Sequence, residues 1–191
     1  MLRPRQGIFK WADATARPHQ TTFGWITFAA RIILGGAVLV SGLLKIGDLV
    51  SSLVQGRAAN SEAVLSVQAY QLHFLPNWII TTVGVALPII EILLGLAIVI
   101  GLWTRWTGAL GGLMMLAFII VIGSVWARGL RISCGCFGAG GNLSLDQQPM
   151  YWLDELRDVG LLICGVWIFL FPKSPLSIDG WIAGPTTEIE E

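Results

Sequence analysis

Apolar residues in this chain come in long unbroken runs. They show neither the three-and-four spacing of a soluble helix nor the alternation of a half-buried strand. Trp25–Leu44, Ile79–Leu102 and Thr107–Ala127 are mostly apolar throughout, and about twenty such residues cross a hydrocarbon core of ~30 Å as a helix. Within lipid a single segment satisfies its backbone only as a helix, so runs of this length predict helices. A fourth run, Val159–Phe171, spans only about 20 Å at ~1.5 Å per residue. Its flank, Asp154-Glu155-Leu156-Arg157-Asp158, must then dip below the interface and face protein or water. The pattern predicts an all-α fold, an integral membrane four-helix bundle.

The longest connection, residues 48–77, carries one further helical pattern. Over Ser61–His73 the residues Ala63, Val64, Val67 and Tyr70 share a face, with Asn60 or Ser61 as N-cap and Glu62 in the first turn. This segment is expected to lie along the extracytoplasmic interface as an additional helix that lids the bundle. His73, just before Leu75-Pro76, reads as an interface residue. The domain plan is a lead over 1–24, the transmembrane domain over 25–172 and a tail over 173–191.

Composition agrees with a membrane protein. The 191 residues are 54% hydrophobic and 13% charged, with mean hydropathy +0.71, far from an ordinary soluble domain. Net charge is zero, so no basic surface points to nucleic acid. The first twenty residues hold no apolar stretch ahead of a cleavage site, and the first span is expected to act as the membrane signal. Arg3, Arg5, Lys10, Arg17, Arg105 and Lys173 fall on one side of the four spans, against Arg57, Arg128 and Arg131 on the other. The positive-inside rule then puts both termini in the cytoplasm of a multi-pass plasma-membrane protein. Trp25, Trp103 and Trp106 mark the inner interface; Trp78, Trp126 and Trp152 mark the outer one.

Charges inside the spans are expensive and must face the bundle interior or find a partner. Arg31 either snorkels to the cytoplasmic face or pairs with Glu91, which lies near mid-membrane after Pro88. Arg157 is expected to pair with Asp154 or a carboxylate across the bundle, and Lys45 with Asp158. Gly108-Ala109-Leu110-Gly111-Gly112 offers a small-residue face for close helix packing, inside the bundle or between copies. Cys164 reads as a small buried hydrophobe.

Ser133-Cys134-Gly135-Cys136-Phe137-Gly138 lies in the extracytoplasmic loop before the last span, where disulfides persist. A bond between cysteines one residue apart closes a very small, strained ring, and strain makes it an easy electron acceptor. Arg128 and Arg131 nearby favour the attacking thiolate. Two thiolates suit copper(I) but fall short of the four ligands zinc takes. Disulfide exchange, a static disulfide and metal binding are all open to the pair.

Taken in order, Ser41-Gly42-Leu43-Leu44-Lys45, Tyr70…Pro76, Glu91-Ile92-Leu93-Leu94-Gly95 and Gly101-Leu102-Trp103-Thr104-Arg105 resemble the DoxX-like family of four-helix membrane proteins. Cys134-Gly135-Cys136-Phe137-Gly138 followed by Leu156-Arg157-Asp158 is similar to the MauE branch of that group. The resemblance implies a membrane redox protein. Cys134 and Cys136 would exchange disulfides with an extracytoplasmic thioredoxin-like partner or a larger membrane redox complex, and a membrane quinone would carry the electrons. Glu91, Arg157 and Asp158 match polar motif positions of the group, and the charges read within the spans, Asp154, Lys45 and Arg31, join them as supporting polar residues. A thiol-disulfide oxidoreductase is one outcome. A non-catalytic accessory subunit with a structural Cys134–Cys136 disulfide is another, and a small transporter with a polar path at Glu91 and Arg31 is a third.

Overall fold

The computed structural model describes residues 18–57, 60–71, 76–133, 141–142, 150–174 and 176–179. Five helices account for most of them: α1 (Pro18–Val54), α2 (Glu62–Ala69), α3 (Asn77–Ile100), α4 (Thr104–Ala127) and α5 (Tyr151–Leu170). The other regular element is a two-residue antiparallel ladder, β1 (Ile132–Ser133) with β2 (Gly141–Asn142). Thr22–Val54, Asn77–Ile100 and Thr104–Ala127 are long and apolar enough to cross a membrane.

The packing is inside-out relative to a soluble protein. Ile33, Leu44, Leu93, Leu113 and Ile120 are exposed, while Arg31, Lys45, Glu91 and Asp158 are buried. Apolar surface of this extent is stable only against lipid or protein. On α5 the division is clean. Leu156, Ile163 and Leu170, spaced by sevens, face out, whereas Asp158, Leu161, Gly165 and Ile168 face in.

Four helices share one apolar core of Ala30, Leu34 and Val38 from α1, Ile98 from α3, Met115 from α4, and Leu161 and Ile168 from α5. Glycines set two close backbone approaches between these helices. A Cβ on Gly95 of α3 would lie 2.6 Å from the backbone nitrogen of Leu39 on α1, and one on Gly165 of α5 would lie 2.7 Å from the Cα of Gly112 on α4. The Gly108–Gly112 face is thus used within the chain, where small residues let backbones meet.

Two boundaries differ from the sequence reading. The first helix runs on to Val54 instead of ending near Lys45, because Leu49 is fully buried and keeps the extension docked. It stops at Gly56, whose φ of +68° lets Arg57 N–H reach back to Ser52 O at 2.8 Å, a left-handed glycine stop. The helix expected in the 48–77 connection exists but is shorter, Glu62–Ala69, and buries Ala63, Val64 and Val67. It packs so closely on α3 that a Cβ on Gly84 would fall 2.6 Å from the Cα of Val64. Ser61 is at the N-cap position, but the capping oxygen is Asp48 Oδ2 of α1, which accepts from Glu62 N–H at 2.7 Å.

Candidate functional site

Glu91 is fully buried on α3, one turn after Pro88. Its partner is Lys45, not Arg31. Lys45 Nζ donates to Oε1 at 2.9 Å and to Oε2 at 3.1 Å, and Ser41 Oγ donates to Oε2 at 3.2 Å. Ser41 and Lys45 stand four apart on α1 and so present one face. Two donors on one carboxylate meet the demand that a buried charge be paired and hydrogen-bonded. The expected Lys45–Asp158 pair does not form, because the Lys45 ammonium is spent on Glu91.

Arg31 instead closes the end of α3. Its Nε donates to Ile98 O at 3.0 Å and its Nη2 to Val99 O at 2.7 Å. A guanidinium satisfies the orphan carbonyls of a helix C-terminus and complements its negative dipole end. Nη1 reaches Ser174 Oγ at 3.1 Å. Gly101 has φ +72°, a conformation that favours glycine, and a Cβ there would also press on the Arg31 guanidinium. Arg31 therefore serves the C-terminal end of α3 and Glu91 the middle of the helix, each with its own partners.

Beyond Gly101, Trp103 has φ +47° and α4 begins at Thr104. Asp179 Oδ1 accepts from Trp103 N–H at 2.8 Å, and Oδ2 from Thr104 N–H at 2.6 Å. A distant segment thus supplies the cap for α4. Partial burial pushes the Asp179 carboxyl up. The Thr104 and Trp103 N–H groups, with Arg31 nearby, more than reverse this and hold it below the ordinary aspartate value of 3.8.

The charged turn of α5 pairs with itself, as the spacing foretold for Asp154. Arg157 Nη1 meets Asp154 Oδ1 at 3.2 Å, while Nε and Nη2 both meet Asp158 Oδ1 at 2.8 Å. Arg157 and Asp154 stay about a quarter exposed, but Asp158 is 1% exposed. Its second oxygen, Oδ2, is buried and has no hydrogen-bond partner among the described residues.

Cys134, Cys136 and His73 lie outside the described residues. What brackets the cysteine segment is on view. Ile132 pairs with Asn142 and Ser133 with Gly141, so the segment leaves and returns at one place. The Tyr151 hydroxyl accepts from Ile132 N–H at 2.8 Å and donates to Leu130 O, fastening the same place to the first turn of α5. Tyr151 and Ile132 are buried with Ala69, Tyr70, Ile122 and Val125. Arg128 pins the end of α2 by donating to Tyr70 O at 2.7 Å, so its guanidinium serves the scaffold. Cys164 is half-buried against the apolar core.

Sequence reasoning missed Ser41, Tyr151 and Asp179. The spacing of Ser41 to Lys45 was a usable signal. Tyr151, an aromatic with a polar tip at the head of a helix after a glycine-rich loop, was a weaker one. Nothing local marks Asp179 as the cap of a helix seventy-odd residues earlier.

A groove of about 540 Å³ opens between α3 and α4, lined by Leu87, Ile90, Leu93, Leu110, Leu113 and Met114 among others. The side chains that line it are all apolar.

The family model described as methylamine utilisation protein MauE matches residues 23–171. No curated protein and no solved structure matches the chain. The matched span begins in α1 and ends just past α5, taking in the shared core, the buried charges and the cysteine segment, and the chain accordingly belongs to the MauE family of membrane proteins.

Proposed function

We propose that this is a membrane redox protein of a methylamine-utilisation type of system, and that it exchanges disulfides through Cys134 and Cys136 with an extracytoplasmic thioredoxin-like partner. The observation that carries the reading is the fastening of the cysteine segment. Ser133 and Gly141 stand opposite each other, and Tyr151 ties that point to the head of α5. Such a base holds the two flanks of the Cys-Gly-Cys element together at the head of α5. The Cys-Gly-Cys-Phe-Gly element and the wider likeness to DoxX-like proteins support the same reading.

In this scheme four spans cross the plasma membrane as a bundle, with α5 the fourth, residues 1–24 and 173–191 in the cytoplasm, and α2 on the outer face. Twenty residues of α5 reach about 30 Å at ~1.5 Å per residue, enough for the hydrocarbon core, and its apolar face points outward. A partner dithiol attacks the Cys134–Cys136 disulfide through a mixed disulfide. The partner leaves oxidised, and this chain holds two thiols. Re-oxidation passes two electrons and two protons to a quinone, giving the quinol. The apolar groove between α3 and α4 matches the isoprenoid tail of such an acceptor in chemistry.

A redox titration of the purified protein, read by thiol alkylation and mass spectrometry, tests the proposal. A reversible couple well above about −300 mV, the range of structural disulfides, is expected, as is a Cys136→Ser variant that traps its partner as a mixed disulfide. A pair that stays oxidised under strong reductant overturns exchange and leaves a stapled accessory subunit.

A further inference from the structure

Ser41 faces two ways. Its Oγ donates to Glu91 Oε2, and the residue also lines a cavity of about 20 Å³ whose wall includes Asp158, Arg157, Met114, Met115 and Phe118. A space above ~10–15 Å³ on this measure holds one water, provided two or more polar groups address it. Asp158 supplies one such group, since Oδ2 is buried and without a hydrogen-bond partner among the described residues. Ser41 Oγ supplies another, because its hydroxyl proton is committed to Glu91 and its lone pairs can accept.

We infer that a single buried water joins Asp158 Oδ2 to Ser41 Oγ and completes a proton path across the helix core, from α5 through α1 to Glu91 on α3. The water donates one hydrogen to each oxygen when Asp158 is ionised. When Asp158 carries a proton, that proton passes to the water, a water proton passes to Ser41 Oγ, and the Ser41 proton passes to Glu91 Oε2. One proton leaves Asp158 and one arrives at Glu91, with charge conserved and no other bond changed. Lys45 from α1 steadies Glu91. Arg157 on α5 steadies Asp158 and is itself held by Asp154; Asp154 and Glu155 are the like charges near Asp158 on that helix. The α4 side chains on the cavity, Met114, Met115 and Phe118, carry no charge. A half-satisfied buried carboxylate is costly, and one water removes that cost. The inference does not depend on what Cys134 and Cys136 do.

Infrared difference spectroscopy of the full chain in lipid nanodiscs tests it, with ¹⁸O-water as the probe and ¹³C-glutamate labelling to separate Glu91 from Asp158. The wild type is expected to show a strongly hydrogen-bonded water band that shifts in ¹⁸O-water and is lost in Ser41→Ala and in Asp158→Asn. The pH midpoint of the buried glutamate band should move by about one unit in Asp158→Asn, a tenfold change in proton affinity. That movement should vanish when Ser41→Ala is the background. Absence of the ¹⁸O-sensitive band in the wild type overturns the inference with no variant needed. A glutamate midpoint indifferent to Asp158→Asn, or a coupling that survives Ser41→Ala, overturns the path.

Discussion

Lys45 Nζ on α1 sits 2.9 Å from Glu91 Oε1 on α3, an ion pair closed inside an apolar core with Ser41 as its third member. Such a pair is held by the need of each charge for the other. Removing one partner strands a buried charge at a cost of about 3–5 kcal/mol, while replacing both by apolar groups is often neutral or better. Lys45→Met is therefore expected to lower the unfolding midpoint in mild detergent by several degrees, and Lys45→Met with Glu91→Leu to recover most of it. A double variant no more stable than the single would show that the pair is not an isolated unit.

The α4–α5 contact rests on backbone meeting backbone. A methyl on Gly165 would lie 2.7 Å from the Cα and 2.8 Å from the N of Gly112, atoms that cannot rotate away. Gly165→Ala should cost about 1–3 kcal/mol, the usual penalty of overpacking. Gly160→Ala on the same helix, where nothing lies within 4 Å, should be neutral or stabilising, since alanine is the better helix former. Thermal unfolding of the two variants side by side decides it.

Tyr151→Phe removes one hydroxyl and two hydrogen bonds, those to Ile132 N–H and Leu130 O. The buried groups left behind make a loss of about 1–3 kcal/mol local to this point. Amide exchange at Ile132 should speed up at least tenfold, with the α3 amides unchanged. An unaltered Ile132 rate would mean that the hydroxyl does not hold the base of the cysteine segment.

Asp179 lies outside the spans, and its carboxyl sits below the ordinary value of 3.8. A depressed folded value means that its capping of α4 contributes fully above about pH 4 and fades as pH falls through the lower folded value. Asp179→Ala should then cost about 1 kcal/mol at neutral pH, as a lost N-cap does. It should also raise exchange at the Trp103 and Thr104 amides. The wild type should reach the same rates only in strong acid, and equal rates at pH 7 for both proteins would remove Asp179 from the role.

Most of the architecture was legible in the chain because membrane burial is written in runs. Trp25–Leu44, Ile79–Leu102 and Thr107–Ala127 fall within α1, around α3 and within α4, since twenty apolar residues leave the backbone one solution. The helix in the 48–77 connection, the inward turn of Asp158 and the Arg157–Asp154 pair follow from helical spacing, which is local. Partner choice is not local. From the sequence Lys45 was matched to Asp158, and Arg31 to Glu91 or the cytoplasmic face. Which pairs formed depended on how far α1 slides along α3, a register set by Gly95 against Leu39 and Gly42 against Pro88. That register puts Lys45 and Ser41 on Glu91 and leaves Arg31 at the carbonyls of Ile98 and Val99. Asp179 capping α4 and Tyr151 fastening Ile132 are of the same kind. Each joins a single side chain to a backbone group supplied by another segment, and only the packed helices bring the two together.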